Sequence, residues 1–95
     1  MNIRYNIDGE TDLPHMYRHN VSQEDVEDVL RHPVENRPGD GNSRVLLGRT
    51  RHGRMLRVII SIDADGRGVF VVTAYDLRGK PLHALRRRMK KRGQS

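Results

Sequence analysis

The chain has no cysteine and no tryptophan, and only one phenylalanine and three tyrosines among its 95 residues. Without cysteine, neither a disulfide framework nor a thiolate metal site can form. With so few aromatic rings the core must be small and aliphatic. Stacking platforms for single-stranded nucleic acid are equally scarce: Tyr5, Tyr17, Phe70 and Tyr75 are the whole supply, and no RNP-like pattern surrounds them. No apolar run approaches the roughly 20 residues of a membrane-spanning helix, and no signal-peptide pattern opens the chain. These absences point to a cytoplasmic protein with no membrane partner. The length allows one domain, expected over residues 1–92, with 93–95 a frayed tail.

What is abundant is charge, and it is unevenly placed. The net is +6, yet residues 1–43 hold four Arg against nine acids (−5), and residues 44–95 hold fourteen Lys or Arg against three acids (+11). A basic half joined to an acidic half creates an oriented field that draws a polyanion to one side.

The basic half opens with three runs rich in β-branched residues, Arg44–Thr50, Met55–Ile62 and Val69–Tyr75, separated by turns at Gly53 and Gly66. They read as an antiparallel meander. If His52-Gly53 and Asp65-Gly66 are two-residue turns, Leu47 faces Val58 and Ile60 faces Val71. One face then carries Val45, Leu47, Leu56, Val58, Ile60, Val69 and Val71 and should meet a helix. The other carries Leu46, Ile59, Phe70 and Val72, with Arg57 beside Gly48 and Ala74. That second face is apolar at one end and cationic at the other, and function is expected there.

The flanks are read from their start and stop signals. Asn2–Ile7 alternates and is expected to be a short strand extending the meander. Leu13–His19 supplies one or two helical turns. Ser22 with Asp25 forms a capping box, and Val21 with Val26 a hydrophobic staple, so a helix begins there and ends near Pro33. Residues 34–43 read as an exposed loop. Gly79-Lys80-Pro81 opens a last helix with the apolar stripe Leu82, Leu85 and Met89. The expected order is β-α-α-β-β-β-α, an α+β domain with helices against one antiparallel sheet.

Two segments carry a family likeness. Arg18-His19-Asn20-Val21-Ser22, followed by Glu24-Asp25-Val26, resembles the K-H-G-V-S-x-E-E/D entry of BrnT-type toxins. Leu47-Gly48-Arg49-Thr50-x-x-Gly53-Arg54-x-Leu56-x-Val58 resembles their G-R-T-x-x-G-R-x-L-x-V hairpin. The ending TAYDLRGKPLHALRRR is similar to that of a bacterial group related to BrnT. The resemblance implies a RelE-like fold, a ribonuclease activity that arrests translation, and neutralisation by a cognate antitoxin. BrnT-type chains follow the last strand with I-S-A-R, whereas Val72-Thr73-Ala74-Tyr75 stands here, so a phenol replaces a basic group at residue 75.

Cleaving RNA without a metal needs a base for the 2′-hydroxyl, an acid for the leaving oxygen and cations for the phosphorane charge. Arg57, His83, Tyr75 and Arg49 are the catalytic candidates, and Arg54, Arg78, Lys80, Arg86 and Arg87 the candidates for holding RNA phosphate. His52 reads as a plain turn residue. His15 and His19 have i, i+4 spacing but no acidic third ligand, so no metal and no cofactor is expected. The leading expectation is an mRNA-interferase-type endoribonuclease with RNA or the ribosome and an antitoxin-like protein as partners. Two alternatives stay open: a non-catalytic RNA- or ribosome-binding protein on the same fold, and a protein-interaction module with a basic docking face.

Overall fold

The computed structural model describes residues 2–93. In chain order they form β1 (Asn2–Tyr5), a 3-10 helix (His15–His19), α1 (Gln23–Arg31), β2 (Glu35–Pro38), β3 (Ser43–Arg49), β4 (Met55–Ile62), β5 (Gly68–Asp76) and α2 (Gly79–Gly93). The fold is α+β. Its strands make one sheet in the order β1-β5-β4-β3-β2, with β1 parallel to β5 and the other pairs antiparallel. Two expectations are thereby corrected. The sheet is mixed, because β1 joins the meander alongside its last strand. Residues 35–38 of the expected loop are an edge strand, Glu-Asn-Arg-Pro, with no apolar residue to announce it. Its charges and its terminal proline suit an edge, where unpaired backbone must not recruit another strand. No helix of the described residues is long and apolar enough to cross a membrane. Gly93 closes α2, and the rest of the expected tail, residues 94 and 95, lies outside the described residues.

Helix α1 starts as its sequence dictates. The Ser22 hydroxyl accepts from the Asp25 amide at 3.1 Å and the Asp25 carboxylate accepts from the Ser22 amide at 3.1 Å, so two orphan donors of the first turn are satisfied reciprocally. Val21 and Val26, either side of the cap, are both buried. Asn20, just before, takes the left-handed conformation at φ 57°, which asparagine tolerates and which turns the chain from the 3-10 helix into α1.

The sheet has a helix on each face. Met16, Val21, Val26 and Val29 cover one face, against Leu46, Leu56, Val58, Ile60, Val69, Val71 and Ala74. Helix α2 covers part of the other through Leu85, packed with Leu47, Met55 and Leu77 and flanked by Val34, Val45, Leu82 and Met89. The Asp65-Gly66 hairpin has the expected register, with Ile60 opposite Val71, and a bulge between Ile59 and Ile60 then shifts the pairing by one residue.

The first hairpin differs. Arg51-His52-Gly53 is a three-residue loop between Thr50 and Arg54, whose backbones meet at 2.8 Å, and Gly53 takes φ 89°. The buried Thr50 hydroxyl accepts from the amides of His52 and Arg54, which favours this loop over a two-residue turn. Leu47 therefore opposes Arg57, not Val58, and Leu46 opposes Val58. The one-residue slip exchanges the faces of β3. Leu46 and Gly48 join the α1 side and Leu47 and Val45 the α2 side, while Ala74 sits in the α1 core and not beside Arg57.

Gly48 explains how closely α1 lies on the sheet, since an added Cβ would meet Val29 Cγ1 at 3.0 Å. Gly48→Val should destabilise the fold by roughly 1–3 kcal/mol, the usual cost of overpacking a core. A lower urea midpoint at unchanged slope measures it.

Candidate functional site

The corrected register sets one lateral row across four strands on the α2 face. Glu35 of β2 opposes Leu47 of β3, Leu47 opposes Arg57 of β4, and Arg57 opposes Tyr75 of β5. Directly opposed side chains on one face stand about 5 Å apart at Cβ, so Arg57 and Tyr75 are neighbours. Beyond Tyr75 the row ends at the 3-10 helix, where the His19 ring meets the Tyr75 ring edge-on at 5.8 Å.

Two hollows flank the Arg57–Tyr75 pair. The first, about 370 Å³, lies between the sheet and α2 and is lined by Arg37, Arg57 and Arg88 together with Leu47, Leu77 and Pro81. The second is a more open depression of about 450 Å³ bordered by Arg18, His19, Asn20, Tyr75, Asp76 and Arg78. Arg57 Nε is buried without a hydrogen-bond partner. Most buried polar groups are paired, so an orphaned guanidinium N–H beside a hollow is the feature to explain.

Glu35, at the far end of the row, collects guanidinium groups. Arg88 forks onto it at 2.7 and 3.0 Å, and Arg37 and Arg92 also pair with it. The Arg88 hydrogen bonds lead, and with those of Arg37 and Arg92 they outweigh burial and hold the Glu35 carboxyl at about 2, well below the ordinary 4.5. This cluster fastens α2 to the edge strand, bringing Arg88 to the rim of the hollow.

The other candidates fall into three groups. Arg54 is committed to the protein itself: it donates to the carbonyls of Asn20 (2.6 Å) and His19 (3.5 Å) and to the carboxylates of Asp25 (3.3 Å) and Asp76 (3.1 Å). It binds the end of the 3-10 helix, the α1 cap and the end of β5 into one unit. Arg78 is mostly solvated and pairs with Asp76 at 3.0 Å. Arg49, Lys80, His83, Arg86 and Arg87 are exposed, and none of them lines either hollow. The structure thus gathers Arg57 with Tyr75 but leaves His83 and Arg49 outside. Among the described residues no group of three or more His, Asp or Glu side chains is placed to hold a metal ion.

Three residues of the site were missed from the sequence. Arg88 carried a signal: Pro81, Ala84 and Arg88 share the helix face next to the apolar stripe, at i, i+3 and i+7. His19 carried only a place in a motif. Arg37 carried none, because β2 itself was unreadable.

The profile of a family described as a domain of unknown function matches residues 13–76, about two thirds of the chain. The chain belongs to the DUF4258 family. No curated protein and no solved structure matches it. The DUF4258 span runs from the 3-10 helix to the end of β5, so it contains Glu35, Leu47, Arg57 and Tyr75 but neither β1 nor α2.

Two outcomes are expected from these contacts. Because the Glu35 carboxyl is lowered in the folded chain, its stabilisation is complete above its ordinary 4.5 and is lost as pH falls towards 2. Thermal midpoints taken from pH 5 to pH 2 should therefore fall less steeply in Glu35→Gln than in the parent chain. Arg54→Ala should cost roughly 1–3 kcal/mol in a denaturant titration, by stranding carbonyls and carboxylates that it now satisfies.

Proposed function

We propose that this chain is a toxin-like, metal-independent endoribonuclease on a RelE-like fold. In this reading it acts in the cytoplasm on free or ribosome-associated mRNA, and a small antitoxin-like protein restrains it. The observation that carries the reading is Arg57, whose buried Nε lacks a partner and which stands opposite Tyr75 on one sheet face. The His19 ring against Tyr75 adds a second proton-transfer group.

The chemistry assigned to these groups is transesterification within the RNA. The 2′-oxygen attacks phosphorus as its proton leaves, the bond to the 5′-oxygen breaks, and a proton passes to that oxygen. The products are a 2′,3′-cyclic phosphate and a 5′-hydroxyl. An imidazole nitrogen of His19 accepts the first proton, the Tyr75 hydroxyl donates the second, and Arg57 meets the charge gathering on the phosphoryl oxygens. A guanidinium whose Nε is buried without a partner suits that task, since it need not first give up a protein acceptor. The resemblance of the 18–26 and 47–58 segments to BrnT-type chains supports the same direction. The solvated Arg86, Arg87 and Lys90 on the outer side of α2 favour a second reading, a protein that grips RNA or the ribosome without cutting it.

Translation in vitro with mapped message ends separates the two. The expected result is arrest with new ends bearing cyclic phosphate, undiminished by EDTA. Arg57→Ala should lower cleavage about 100-fold or more, and Tyr75→Phe and His19→Ala should each lower it about 100-fold. Arrest that persists in all three variants on intact message would make the chain a binder.

A further inference from the structure

The hollow under α2 combines two kinds of wall. Arg37, Arg57 and Arg88 bring guanidinium groups to it, and Val45, Leu47, Leu77, Pro81 and Ala84 bring apolar surface. Its volume of about 370 Å³ lies within the range of small-ligand sites, roughly 300–1,000 Å³. Glu35 neutralises part of the charge through its ion pairs with Arg37 and Arg88. On the same sheet face, one position diagonal from Arg57, the Thr73 hydroxyl is also buried without a partner. Of these two orphaned polar atoms, only Arg57 Nε belongs to a residue that lines the hollow.

The mixed lining narrows the class of ligand. A bare inorganic anion would satisfy the guanidinium groups and leave the apolar wall wet. A purely apolar ligand would leave the Arg57 N–H desolvated and unpaired, which is unfavourable. A flat heterocycle carrying a phosphate satisfies both walls. We propose that this hollow is a nucleotide subsite, with the phosphate on Arg57 and the ring against Leu47, Leu77 and Pro81 beneath α2. The proposal rests on the RNA-directed reading above and deepens it. The nucleotide seated under α2 presents its phosphate at Arg57, and the chain of the substrate continues past Tyr75 towards His19.

The test uses the full chain and simple probes. Amide chemical shifts are followed on titration with uridine 5′-monophosphate, adenosine 5′-monophosphate, uridine, adenosine and inorganic phosphate. The expected result is that at least one monophosphate binds about tenfold or more tightly than phosphate or its own nucleoside, with shifts centred on Leu47, Arg57 and Ala84. Arg57→Ala should weaken that monophosphate about tenfold or more, the loss of a charge-assisted hydrogen bond. Ala84→Met, which fills the hollow, should abolish monophosphate binding while leaving phosphate binding in place. An Arg86→Ala, Arg87→Ala double variant on the outer face should bind like the parent. If Ala84→Met melts early, Arg57→Ala carries the test, because its Nε has no protein partner to lose.

Phosphate binding as tightly as both monophosphates, or shifts centred on Arg86, Arg87 and Lys90, would overturn the subsite. The two proposals fail separately. Cleavage of RNA by a chain that binds neither monophosphate removes the subsite and leaves the ribonuclease. Monophosphate binding that depends on Arg57, in a chain that cuts no RNA, does the reverse.

Discussion

The Thr50 hydroxyl and the three-residue loop it organises set the register on which the candidate site depends. By accepting from the His52 and Arg54 amides, Thr50 favours a loop one residue longer than the tightest hairpin. That residue decides which side chains of β3 share a face with Arg57. With a two-residue turn, Leu46 and Gly48 would have flanked Arg57 and α1 would have lost its close approach at Gly48. With the loop as it stands, Glu35, Leu47, Arg57 and Tyr75 form one row and α2 closes over part of it. The carbonyl ends of the 3-10 helix, the α1 cap and the end of β5 are then drawn together by Arg54 from the same loop.

The residues that carry the family likeness have mainly structural work in this fold. Asn20 turns the chain, Ser22 and Asp25 cap α1, and Gly48 admits Val29. Thr50 and Gly53 shape the loop, and Arg54 ties three elements together. The side chains proposed for chemistry, Arg57, Tyr75 and His19, lie among or just beyond these positions and depend on them for placement. A mutation in the motifs therefore acts first on stability and only through it on the site. Likeness in such residues transfers a fold more securely than an activity.

The charge asymmetry also has a structural meaning. Much of the acidic half is consumed internally: Asp28 holds Arg51 and Arg31, Asp25 holds Arg54 together with Asp76 of the basic half, and Glu35 holds Arg37, Arg88 and Arg92. Asp28 and Glu35 are pulled below the ordinary carboxylate range by those hydrogen bonds, Asp28 chiefly by Arg51 and Glu35 chiefly by Arg88. Several solvated cations, among them Arg49, Lys80, Arg86, Arg87 and Lys90, do not line the Arg57 hollow. The cations proposed to attract a polyanion and the pocket proposed to hold one nucleotide of it are thus different parts of the surface.

Local patterns determined much of this protein. The three strands β3, β4 and β5, the capping box of α1, the pairing of Ile60 with Val71 next to the Asp65-Gly66 turn and the stripe of α2 all depend on residues near one another in sequence, and each formed as read. Arg57 and Tyr75 were legible as candidates because a cation and a phenol at strand positions interrupt an apolar pattern. What the sequence left open depends on contacts between distant segments. The β2 strand exists because β3 offers it a ladder and α2 offers Glu35 its arginines, neither of which is visible in Glu-Asn-Arg-Pro itself. The parallel pairing of β1 with β5 spans most of the chain, and a hydroxyl contact worth a single loop residue chose the face of β3. Side-chain period fixes which residues travel together; only the folded chain decides which neighbour they meet.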